Sequence, residues 1–137
     1  MYPRDHAILS AAVTAGSAAF LGLVPGQILL WTVMGTVAGV FIDVDHVFLS
    51  MLVTGEWDEG LAWLRAPHKA FMEPDRLLRD IEYPALVRHR ILTHFLALAV
   101  LLAGTKLHVL FYPAAIGLAV HIAVDIVVDI WNGAYRA

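Results

Sequence analysis

The chain contains no cysteine, so disulfides and thiolate metal sites are both excluded. It is also poor in charge. Only 15% of its 137 residues are Asp, Glu, Lys or Arg, against about a quarter in soluble domains. Basic excess is missing too: nine Lys and Arg against twelve Asp and Glu leave a net charge of −3. That gives no cationic field for nucleic acid, and none is expected as a partner. What remains is apolar, at 60% of the residues. This is the composition of a membrane protein, and the length fits one domain over residues 1–137.

Four apolar stretches, residues 7–24, 27–53, 91–111 and 113–131, come close to or exceed the about 20 residues that cross a hydrocarbon core. The first is read as a retained span rather than a leader, because His6 has partners further on. Pro25-Gly26 joins the first two stretches as a tight turn, with Pro25 near the start of the next helix, and a break at Gly104 to Lys106 with Pro113 separates the last two. Such short links make antiparallel neighbours. The expected fold is all-α: an integral membrane four-helix bundle of two helical hairpins, with an interfacial helical connector. The connector is residues 55–88, where Trp57, Trp63 and Tyr83 accompany leucines and charges. Ala11, Ala15 and Ala19, and the pair Gly35 and Gly39, are spaced for close helix packing and are given no chemistry.

Lys and Arg set the expected orientation. All but Lys106 fall on the side shared by both termini and the connector. The positive-inside rule puts that side in the cytoplasm of a cell membrane.

Against this background, residues 41–48 stand out. They read Phe-Ile-Asp-Val-Asp-His-Val-Phe, with Asp43, Asp45 and His46 inside an apolar run. A charged Asp at mid-bilayer costs about 2.5–3.5 kcal/mol on insertion scales, and such groups usually mark a function. A bound metal ion neutralises them at least cost. The other buried polar residues fall at the same end of the expected bundle: His6 on the first helix, His89, Arg90 and His94 on the third, His121, Asp125 and Asp129 on the fourth. Asp43 and His46 share a helix face, as do His121 and Asp125. Asp45 points elsewhere on a regular helix, to serve a second ion, orient a ligand or act as a base. The candidates outnumber the four ligands of one tetrahedral zinc, so two ions with a water between them are expected. Without thiolates, Zn2+, Mn2+, Fe2+ or Mg2+ suits the donor set.

Asp43-Val44-Asp45-His46, His89-Arg90-Ile91-Leu92-Thr93-His94 and His121-x-x-x-Asp125, preceded by His6, resemble the membrane-bound metal-dependent hydrolases. These are also called YdjM-like or LexA-binding inner-membrane-associated hydrolases, and are distantly similar to zinc-dependent phospholipase C and the single-strand-specific nucleases. The likeness spans nearly the whole chain. It implies metal ligation by His6, Asp43, His46, His89, His94, His121 and Asp125, and phosphoester cleavage. Ile91 stands where the family usually has Gly, Val47 where it often has Pro, and Val127-Val128-Asp129 where it is often Thr- or Gly-rich. These departures bear on substrate shape.

The leading expectation is therefore hydrolysis of a phosphoester such as a phospholipid headgroup, with membrane lipids as partners and substrate source. Arg90 is expected to hold the phosphate, Asp45 or Asp129 to take up a proton, and Thr93 to support a ligand carboxylate. A lipid amidase or esterase with the same water is the alternative. A divalent-metal transporter comes next, disfavoured because the far half of the bundle offers almost no polar residues beyond His108. A catalytically silent partner protein ranks last. The sequence leaves room for a homo-oligomer.

Overall fold

A computed structural model describes residues 3–65 and 83–131. Among the described residues every regular element is helical: α1 (Pro3–Phe20), α2 (Pro25–Phe41), a 3-10 turn (Ile42–Val44), α3 (Asp45–Thr54), α4 (Trp57–Arg65), α5 (Tyr83–Gly104) and α6 (Phe111–Trp131). Three segments are long and apolar enough to cross a membrane: Pro25–Leu49, Val87–Gly104 and Phe111–Trp131. The expected first span, residues 7–24, is not among them. Helix α1 begins earlier, on the polar run Pro3 to His6, and carries Ser10, Thr14 and Ser17 along its length.

Helix α1 also ends earlier than expected. Gly22 adopts a left-handed φ of 70°. Its N–H donates to the Ala19 carbonyl, and the Leu23 N–H donates to Ala18, which closes the last turn as a Schellman motif. The turn is thus built on Gly22. Pro25 is not part of it: it starts α2, where its fixed φ and missing N–H cost nothing. The Gln27 side chain accepts the Val24 N–H at 3.2 Å and completes that entry.

Helices α1, α2 and α6 pack against one another, and α5 lies along α6 and touches α3. The buried face of α1 is His6, Ser10, Thr14 and Ala18, each 2% exposed or less. That stripe lies one residue before the Ala11, Ala15 and Ala19 row. The hydroxyls are satisfied in this contact: Ser10 donates across it to the Gly117 carbonyl at 3.2 Å, and Thr14 donates back within α1 to the Ser10 carbonyl at 2.6 Å. Opposite them are Gly35 and Gly39. A Cβ on Gly117 of α6 would overlap the Gly35 carbonyl, so the two backbones touch.

The result is an inside-out distribution. His6, Ser10, Thr14, His94, His121, Asp125 and Asp129 are buried, while Leu29, Val33, Val37, Phe41, Leu96 and Val127 are exposed. A bilayer reverses the usual sorting in this way, because apolar side chains gain nothing by hiding from lipid. Of the connector, α4 is described. Residues 66–82 and the Trp63 side chain lie outside the described residues, and Tyr83 already belongs to α5.

Candidate metal centre

Four segments deliver the site: the start of α1, the 3-10 turn with the first residue of α3, the first half of α5, and the second half of α6. The 3-10 turn matters most. With 3.0 residues per turn rather than 3.6, it winds Asp43 and Asp45 closer in angle than a regular helix does. The helix is not regular here, so both carboxylates reach the cluster, and Asp45 faces the ring of His94. Asp43 Oδ1 is 3.4 Å from His121 Nε2, and Asp45 Oδ2 is 3.2 Å from His94 Nδ1.

Two imidazoles form the centre. His121 is fully buried and its Nδ1 lies 2.6 Å from the Gly39 carbonyl. A carbonyl only accepts, so Nδ1 carries the hydrogen and Nε2 presents its lone pair. His94 Nδ1 faces the Asp45 carboxylate, so its Nε2 also presents a lone pair. The two Nε2 atoms are 3.1 Å apart. Asp125 Oδ2 lies 3.1 Å from His121 Nε2 and 3.8 Å from His94 Nε2, and has no hydrogen-bond partner among the described residues. Three electron-pair donors converge here. A proton can join two of them, whereas a metal ion can join all three. Imidazoles anchored through Nδ1 by a carboxylate and a carbonyl are the usual outer support of a metal site.

His6 completes the cluster. Its ring stacks on His121 at 4.0 Å between centroids, and its Nε2 is 3.3 Å from Asp125 Oδ1. His6 is 2% exposed, and its Nδ1 lacks a hydrogen-bond partner among the described residues. Two groups bring their ligand atoms within 4.8 Å of one another: His6, Asp43 and His121, and His94, His121 and Asp125. Each can hold a metal ion. Both use His121, whose Nδ1 is committed to Gly39, so its one available nitrogen serves one ion at a time.

The remaining candidates fall around this core. Thr93 Oγ1 donates to Asp45 Oδ2 at 2.5 Å and so steadies the carboxylate that orients His94. Arg90 faces two carboxylates: its Nη2 bonds Asp129 Oδ2 and its Nε lies 3.5 Å from Asp125 Oδ2. Asp129 is 2% exposed beneath it. His89 is exposed and belongs to neither group. The side chain of His46 lies outside the described residues. Sequence reasoning missed Ser10, Thr14 and the Gly39 carbonyl. The four-residue spacing of His6, Ser10, Thr14 and Ala18 carried the signal for the first two. A backbone acceptor carries none.

Fold and cluster together define a helical protein with spans apolar enough for a membrane and buried His/Asp groups able to hold a metal ion. No family model, curated protein or solved structure matches the chain.

Proposed function

We propose that the protein is an integral membrane, metal-dependent hydrolase that cleaves a phosphoester, with a phospholipid headgroup as the leading substrate class. The observation that carries this reading is the approach of His94 Nε2 and Asp125 Oδ2 to His121 Nε2, three donors of one buried group. Zn2+ suits these nitrogen and carboxylate donors best. An ion there would supply an acidified water and a Lewis acid for the ester oxygen. The motif likeness to the membrane-bound metal-dependent hydrolases, set on the same residues, supports the reaction class. A second ion would draw on His6 and Asp43, because His121 serves only one.

The chain's own residues have separable tasks. Asp45 and the Gly39 carbonyl hold the two imidazoles in the required tautomers. Of the two carboxylates considered as proton acceptors, Asp45 suits the role better. Its side chain is 23% exposed, against 2% for Asp129, which is tied to Arg90. The distribution of Lys and Arg supports a cytoplasmic site in a cell membrane.

The test is a hydrolysis screen of the purified protein, loaded with Zn2+ or Mn2+, against phospholipids and soluble phosphoesters, with His121→Ala as control. Release of a phosphate-bearing product by the wild type alone supports the proposal. Release of a fatty acid instead would move the assignment to a lipid esterase or amidase.

A further inference from the structure

Arg90 lies between two carboxylates of α6, Asp125 and Asp129, one helical turn apart. Its Nη2 is hydrogen-bonded to Asp129 Oδ2, the closer of the two contacts. Its Nε stands 3.5 Å from Asp125 Oδ2. That oxygen is the one that also faces His121 Nε2 at 3.1 Å and His94 Nε2 at 3.8 Å. A permanent cation therefore approaches Asp125 from one side and the metal seat from the other. The Arg90 side chain is 13% exposed and that of Asp129 2%, so water does little to weaken either charge.

We infer that Asp129 is a positioning residue: it holds the Arg90 guanidinium off Asp125 and so keeps Oδ2 available to a metal ion. The inference rests on the metal-centre reading above. A guanidinium stays protonated, so it cannot leave the competition by losing its charge. Given only Asp125, it would pair with that carboxylate through two parallel N–H bonds and use the lone pairs that a metal needs. Asp129 takes the stronger bond and balances the guanidinium. Asp125 then keeps its charge for the ion. On this account Arg90 and Asp129 tune metal affinity, and the role expected for Arg90 as a phosphate clamp falls away.

The experiment is a Co2+ titration of the full chain in detergent, read by chelator competition and by the visible spectrum of the bound ion. It compares wild type, Asp129→Asn, Asp129→Glu and the double variant Arg90→Gln plus Asp129→Asn. Asp129→Asn should bind Co2+ on the order of 10–100-fold more weakly, with an altered spectrum, as for other outer-shell changes. Asp129→Glu keeps the anchor and should bind as wild type does. The double variant removes competitor and anchor together, and should recover most of the affinity and the wild-type spectrum. It also reports if Asp129→Asn alone fails to fold. Wild-type affinity in Asp129→Asn overturns the inference. So does a double variant as weak as the single one, because the loss then belongs to Asp129 itself. A wild type that binds no Co2+ removes the metal centre, and the inference with it.

Discussion

His94 and His121 come from different helices and meet through their Nε2 atoms at 3.1 Å, each anchored at Nδ1 by an acceptor that fixes its tautomer. Neither ring can turn without breaking its anchor. The pair is therefore held ready for a cation, and the predictions below follow from how it is held.

Asp45→Asn removes the charge that orients His94. Metal affinity should fall on the order of 10–100-fold. His108→Ala, at the far turn where His108 Nδ1 accepts the Leu110 N–H, should leave it unchanged. Chelator competition on the two variants checks this pair of outcomes.

Removing metal should destabilise the fold. Without a cation, the lone pairs of His94, His121 and Asp125 face one another inside the bundle. Any ion that binds the folded state alone adds RT ln(1 + [L]/Kd), about 4 kcal/mol at a thousandfold excess over Kd. Thermal unfolding in detergent should show Tm falling with a chelator and returning with Zn2+. His121→Ala should unfold at the same temperature with and without the chelator.

The glycines of the α2–α6 crossing should be intolerant of a methyl group. Gly117→Ala pushes a Cβ into the Gly35 carbonyl, which cannot move aside as a side chain would. A loss of about 1–3 kcal/mol is expected from such overpacking. Gly16 on α1 has nothing within 4 Å of its Cβ position. Gly16→Ala should be neutral or stabilising by up to about 1 kcal/mol, from helix propensity. Unfolding midpoints of the two variants, measured side by side, test the contrast. Gly117→Ala should also weaken metal binding, because it parts Gly39 from His121.

Much of this was legible in the sequence. Helical spans announce themselves by long apolar runs, and intramembrane acids and imidazoles are costly enough to read as a site. His6, Asp43, His94, His121 and Asp125 could be named from that cost, from their common level in the expected bundle and from the motif resemblance, with i, i+4 spacing adding weight for His121 and Asp125. Two features were not legible. The 3-10 turn at Ile42–Val44 brings Asp45 into the cluster, and apolar periodicity does not report a change of helical pitch inside a buried run. The shift of the α1 contact face from Ala11 to Ser10 goes with the Ser10 hydroxyl finding the Gly117 carbonyl on α6, a tertiary matter. The end of α1 at Phe20 was misplaced because the apolar run continues to Val24, whereas Pro25 does open the next helix, as its fixed φ leads one to expect.

The central claim is that imidazoles and carboxylates from separate helices share one divalent cation. Elemental analysis of the protein purified in detergent tests it most directly, wild type beside the double variant His121→Ala plus Asp125→Ala. A divalent metal retained by the wild type and absent from the double variant is the predicted result. Equal metal content in the two, or none in either after loading with Zn2+, would contradict it.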